Sequence, residues 1–283
     1  MFEEDKYDSV QKVRKYSLNM RKNLLKMGLN AGANGAHIGG SFSSVEILAT
    51  LYGVIMNVDS KKPLDQNRDR LILSKGHCAM AHYAALCECG FLTEDELFSF
   101  EQNEGILPVH SVMNLEKGIE LSSGSLGLGL SFGIGNALAA KRKGQNHRIF
   151  VLLGNGECNE GSVWEAIMAA AHFKLGNLTA IIDSNNLQLD GDSSNVMNVP
   201  NLPRIFEDFG WTVHEIDGHN VGQLLDTFTN LNHDGRPNVV IANTTKGKGV
   251  SFMEDNPIWH HGRLSQEDYD KALTELEAGI DAV

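Results

Sequence analysis

Apolar residues follow two rhythms along this chain. Strand-like segments occur at 70–74, 211–217 and 239–245, and short, nearly unbroken apolar runs at 149–153 and 178–182. These two runs have the length and the Val/Ile/Leu content of strands buried on both faces. Between the segments the spacing is helical. Val10, Val13, Ser17, Met20 and Leu24 share one face of 5–30, and Val45, Leu48, Leu51, Tyr52 and Ile55 share another. Further helices are predicted over 78–89, from Ser122–Gly129 to about Lys143, over 162–174, 203–209 and 221–230, and from Ser265 onward. Ser43/Glu46, Thr93/Glu96 and Ser162/Glu165 have capping-box spacing and are expected to start helices. Residues 101–119, 192–202 and 257–262 read as loops. Strand and helix alternate, so the expected fold class is α/β: a mostly parallel sheet with helices on both faces, as one domain over 1–283.

Residues 148–191 organise the rest. The run 149–153 breaks into Gly154-Asn155-Gly156-Glu157-Cys158-Asn159-Glu160-Gly161; a helical stretch and a second apolar run follow, ending in Asp183-Ser184-Asn185-Asn186-Leu187. This is a βαβ unit. Side chains just past the carboxyl ends of parallel strands face one crevice. Asn155 and Asn185 would both present hard oxygens there, with backbone carbonyls nearby, which suits Mg2+ shared with a phosphate. Gly154 and Gly156 leave room for a diphosphate against the backbone. Glycine turns after strands are common, so the unit alone leaves phosphate binding open. The absence of a clean G-x-G-x-x-G with a following acidic ribose ligand disfavours a nicotinamide dehydrogenase.

Composition narrows the field. At 283 residues, 42% hydrophobic and 21% charged, the chain is ordinary globular material. A formal net charge of -12 argues against a general nucleic-acid surface. Cys78, Cys87, Cys89 and Cys158 form no C-x-x-C pair or disulfide framework and are expected as free thiols. The acidic start, Met1-Phe-Glu-Glu-Asp-Lys6, lacks a signal-peptide core, and the long uncharged stretch 121–140 is rich in Gly, Ser and Asn. A cytoplasmic protein without a membrane span is expected.

Gly154-Asn155-Gly156 followed by Asn185-Asn186 resembles the thiamine diphosphate motif, usually Gly-Asp-Gly through Asn-Asn. The wider string is similar to transketolase: Glu160-Gly161, Trp164-Glu165-Ala166, 170–178 and Leu189-Asp190-Gly191, with further matches from about Gly35 to Gly262. The resemblance implies the diphosphate-binding (PP-type) domain of that family. It implies thiamine diphosphate and Mg2+ as cofactors, with the metal on the side chains of Asn155 and Asn185 and the carbonyl of Leu187. Cofactor contacts are implied for His77, Gly124, Leu126, Gly154, Gly156, Glu157 and Asn185. His37 and His110 match histidines facing substrate, and Glu160 a glutamate at a chain-to-chain interface near the cofactor. His261 falls near an active-site histidine, with His260 the neighbouring alternative. Asn155 stands where aspartate is usual, which removes one negative charge from the metal site. Leu128 replaces a usual glutamine, and Val109-His110-Ser111 a usual Gly-His-Pro. Lys246 and Lys248 receive no role, and His82, His147, His172, His214, His219 and His233 are expected as ordinary surface or core residues.

The family's pyrimidine-binding domain has no counterpart after Gly262. The resemblance therefore implies the N-terminal subunit of a split transketolase, moving a two-carbon ketol unit between sugar-like ketose and aldose substrates. A separate C-terminal subunit would complete it, expected as an α2β2 heterotetramer. The alternatives are another thiamine diphosphate-dependent ligation and a non-catalytic scaffold, which Asn155 motivates.

Overall fold

The computed structural model describes residues 3–232 and 234–279; His233 lies outside the described residues. In chain order come helices α1 (Glu3–Ala31), α2 (Ile38–Phe42) and α3 (Val45–Thr50), strand β1 (Arg70–Leu73), helices α4 (Ala79–Glu88), α5 (Glu94–Phe98) and α6 (Leu128–Arg142), and strand β2 (Ile149–Gly154). Helix α7 (Gly161–His172), strand β3 (Leu178–Ser184), the small hairpin β4 (Leu187–Gln188) and β5 (Gly191–Asp192), and helices α8 (Ser193–Val196) and α9 (Leu202–Asp208) follow. Strand β6 (Thr212–Asp217), helix α10 (Val221–Thr229), strand β7 (Asn238–Asn243) and helix α11 (Gln266–Ala278) complete the order.

Five strands form one parallel sheet in the order β1-β2-β3-β7-β6. Side chains alternate across it with the two-residue period of a strand. Leu71, Leu73, Phe150, Leu152, Ile181, Val240 and Ala242 join one core with α1, α3, α4 and α10. Ile72, Ile149, Val151, Leu153, Ala180, Ile182, Val239 and Ile241 join a second core with α6, α7 and α9. Both faces of the central strands are covered, which is why they read as unbroken apolar runs. The four cysteines are free thiols. No helix among the described residues is long and apolar enough to cross a membrane.

Helix α6 lies almost on the strands. A Cβ on Gly133 would fall 2.5 Å from Val151 Cγ2, and one on Gly129 would fall 2.4 Å from Ser74 Cβ. Two predicted caps are differently arranged. Helix α3 starts at Val45, and Glu46 turns into the protein to pair with Arg21. Helix α7 starts at Gly161, and the Ser162 hydroxyl donates to the Gly127 carbonyl (2.9 Å). In both cases a tertiary partner outcompetes the local N-terminal amide. The boxes Thr93/Glu96 and Ser265/Asp268 are present as pairs. The predicted loop at 192–202 contains the helical turn α8, capped by Asp192 through Ser194 N–H (2.7 Å).

Candidate functional site

All five parallel strands end at one edge of the sheet, and the loops they release meet there. At the bottom of the meeting point lies a buried ion pair. Lys75, just past β1, bonds Asp183 near the end of β3, and its ammonium also donates to the Gly40 carbonyl (2.8 Å). The hydroxyls of Ser43 (2.6 Å), Ser44 (2.9 Å) and Thr244 donate to the same carboxylate. Burial would raise the Asp183 carboxyl, but Lys75 and these hydroxyls outweigh it and hold it below its usual value. Gly154 lies against the Lys75 side chain: a Cβ there would be 3.7 Å from it.

Above this pair sits a cluster of imidazoles. His37, at the entry to α2, has ring centroids of His77, His110, His260 and His261 at 5.5, 5.6, 5.7 and 4.5 Å. His77 stacks on His260 at 5.2 Å. Burial, followed by the neighbouring imidazoles, lowers His37 to about 3. Burial and then Lys246 lower His260 to about 4, and burial with Lys75 puts His77 well below its usual value. These three rings are neutral near pH 7, so each offers one donor and one acceptor. His37 Nδ1 and His110 Nδ1 are buried without a hydrogen-bond partner among the described residues. Gly124 lies flat against His110, with a hypothetical Cβ 3.6 Å from the ring, and Leu126 is partly buried in the same segment.

Lys246, to which the sequence assigned no role, is central. It is buried, and its ammonium donates to the Leu187 carbonyl (3.1 Å) and to His260 Nδ1 (2.8 Å). An ammonium only donates, so His260 carries its proton on Nε2. Burial, then Lys75, lower the Lys246 ammonium to about 8, so it stays mostly charged at neutral pH.

The three oxygens expected to hold a metal lie past β2 and β3. Asn155 donates its amide N–H to Ser193 Oγ (3.0 Å), and no described residue donates to its oxygen. Asn185 Oδ1 accepts Leu187 N–H (3.1 Å), which ties that side chain to the Leu187 turn. A polar cavity of about 340 Å³ opens beside Asn155, bounded by Ser184, Asn186, Ser193 and Met197. Among the described residues no group of three or more His, Cys, Asp or Glu could hold a metal. The candidate ligands are neutral amide and carbonyl oxygens; a hard cation taking its other ligands from a phosphate would share the Leu187 carbonyl with Lys246 and the Asn185 oxygen with Leu187 N–H.

Two expected cofactor contacts are packed against the chain's own residues. Glu157 is 2% exposed; its carboxylate accepts the Ser74 hydroxyl and the N–H groups of Gly127 (2.8 Å) and Gly154 (3.1 Å). It shapes two backbone turns from behind, and burial raises its carboxyl. Gly156 is approached by the Gln188 side chain, 2.8 Å from a hypothetical Cβ. Glu160 is exposed at the start of α7. Asp183 carried a readable signal, a carboxylate directly at the end of an apolar run; Lys75 and Lys246 carried none beyond adjacent glycine.

Comparison with known proteins agrees with this geometry. Residues 15–281 match the family described as Transketolase, thiamine diphosphate binding domain. The chain is 41% identical over 271 residues to one of the subunits of apulose-4-phosphate transketolase from Actinobacillus succinogenes, covering 96% of this chain and 97% of that one. It is 38% identical to one of the subunits of 6-deoxy-6-sulfo-D-fructose transketolase from a Clostridium species, covering 85% and 88%. Its fold superimposes on transketolase from Campylobacter jejuni with a TM-score of 0.85 at 28% identity, covering 95% of this chain but 43% of that one. The chain belongs to the transketolase family and carries its thiamine diphosphate-binding domain.

Proposed function

We propose that this chain is the N-terminal, diphosphate-binding subunit of a two-subunit transketolase that moves a two-carbon ketol unit from a ketose to an aldose. The observation that carries the reading is Lys246: a buried, charged ammonium without a carboxylate partner among the described residues, set beneath neutral imidazoles at the ends of the strands. Such a group calls for an anion, and a diphosphate or a phosphorylated sugar supplies one. Asn155, Asn185 and the Leu187 carbonyl would hold Mg2+. Thiamine diphosphate, when bound, supplies carbanion stabilisation as an electron sink.

The chain's own residues bind, orient and move protons. Lys246 and His77 would face the diphosphate. His37 and His110, side by side in the cluster, would face substrate hydroxyls, and burial, which holds His37 at about 3, suits it to hydrogen bonding as a neutral ring rather than to proton abstraction. His261, edge-on to His37, and His260 would complete that wall. Gly124 and Leu126 would pass beside the aminopyrimidine. Glu160, exposed at the head of α7, would meet a neighbouring chain. End-to-end likeness to a relative that is itself named as one subunit of a transketolase supports a separate C-terminal partner. An α2β2 assembly in the cytoplasm, with this chain as one domain, is the reading we favour.

The test is a ketol-transfer assay with phosphorylated ketose donors, thiamine diphosphate and Mg2+. Activity should require both this chain and the pyrimidine-domain subunit. Full activity of either chain alone would refute the two-subunit reading.

A further inference from the structure

We propose that His219 is a positioning residue that fixes the loop carrying Lys246 in the orientation the anion site requires. The inference rests on the cofactor reading above and adds how its central cation is held in place.

The loop is clamped at both ends by one chain of buried polar groups. His219, in the turn after β6, accepts the Thr245 N–H on Nε2 (2.8 Å). A backbone N–H only donates, so the His219 proton sits on Nδ1 and is donated to Glu46 Oε2 (2.9 Å). Glu46, in α3, forms a two-pronged pair with Arg21 of α1 (2.5 and 3.0 Å). Arg21 then donates through Nε to the Lys248 carbonyl (2.9 Å). The residue before Lys246 and the second one after it therefore hang on the same Arg21–Glu46–His219 chain. Between them Gly247 donates to the Gly39 carbonyl (3.0 Å), at the turn that follows His37.

The clamp is stiff for physical reasons. Arg21 and Glu46 are 7% and 8% exposed, so their charges cannot relax into water. Burial alone would raise the Glu46 carboxyl, yet Arg21 and His219 bring it down to about 2. Gly247, at φ +79°, has no room for a Cβ, which would lie 2.2 Å from the Met253 carbonyl oxygen. The backbone at Lys246 has few alternatives while His219 keeps its tautomer. Without an acceptor at that point, the Thr245 N–H loses its partner and the loop can rotate. His219, Glu46 and Arg21 bond one another and the backbone at Thr245 and Lys248, so His219 would act through the loop that carries Lys246.

A double-mutant cycle tests this, with thiamine diphosphate titrated at fixed Mg2+ into the full chain plus its partner subunit. Lys246→Met and His219→Ala should each weaken cofactor binding by about tenfold or more, and His219→Ala should cost little further in the Lys246→Met background. His219→Gln, which keeps an acceptor for Thr245 N–H, should retain most of the affinity. Hydrogen exchange should quicken at 244–249 in His219→Ala, a readout that does not depend on cofactor. Additive losses, or unchanged exchange at 244–249, would overturn the positioning role. Failure of the parent protein to bind cofactor would instead remove the cofactor reading, and this inference with it.

Discussion

Lys75 and Asp183 form a buried ion pair across 108 residues of sequence, tying the end of β1 to the end of β3 over the intervening β2. Both are at most 2% exposed in their side chains. Removing one partner strands the other charge in a low-dielectric interior. Asp183→Ala should therefore destabilise the protein by about 3–5 kcal/mol in urea unfolding. Adding Lys75→Met should recover part of the loss; equal stability of the single and double variants would argue against an uncompensated charge as the cause.

Gly133 is where α6 rests on the sheet. Alanine there would place its Cβ 2.5 Å from Val151 Cγ2, at the centre of the second core. Overpacking of this kind typically costs about 1–3 kcal/mol, despite the better helix propensity of alanine. Gly135 on the same helix meets nothing within 4 Å, so Gly135→Ala should be neutral or stabilising. Equal unfolding midpoints for the two variants would contradict the close approach.

His82 gives a pH signature. It is 1% exposed, bonds the Tyr52 hydroxyl through Nε2 (2.8 Å), and is lowered by burial from 6.5 to about 4. Between pH 6.5 and 4 the unfolded chain binds a proton there that the folded chain does not. Stability from this residue is thus present above 6.5 and falls as pH drops through that window. The loss at pH 5.5 is on the order of 1 kcal/mol. Urea unfolding at pH 7.5 and 5.5 should show a smaller difference for His82→Gln than for the parent, and identical differences would refute the assignment.

Asn155 offers its oxygen to a cation without a charge. Asn155→Asp adds attraction to Mg2+ and some repulsion toward diphosphate; the closer contact should prevail, tightening Mg2+-dependent cofactor binding by about 1 kcal/mol, or roughly fivefold. Weaker binding in the variant would show a site tuned to the amide.

The centre of the sheet was legible because its strands are buried on both faces: Ile149 to Leu153 and Leu178 to Ile182 could hardly be anything but interior; the edge strand Thr212–Asp217 is only partly buried. The convergence of His37, His77 and His110 was legible from motif and glycine context. The Lys75–Asp183 pair was not, because no local spacing links residues so far apart. Glu46 and Ser162 misled for a related reason. Each fits a capping box locally, and each is drawn away by a distant partner, Arg21 and the Gly127 carbonyl. Lys246 reads in sequence as either a solvated lysine or a phosphate neighbour, and its burial beside Leu187 and His260 marks it out. Glu157 sits in the motif, and its bonds to Ser74, Gly127 and Gly154 are a set that local spacing does not specify.

The most direct measurement is a calorimetric titration of thiamine diphosphate, with Mg2+ present, into this chain mixed with its pyrimidine-domain subunit. Saturable binding of one cofactor per copy of this chain, abolished by chelating the metal and weakened at least tenfold by Lys246→Met, is the expected result. Absence of binding in the parent mixture, or binding indifferent to both metal and Lys246, would contradict the assignment of this site to a metal-bridged diphosphate.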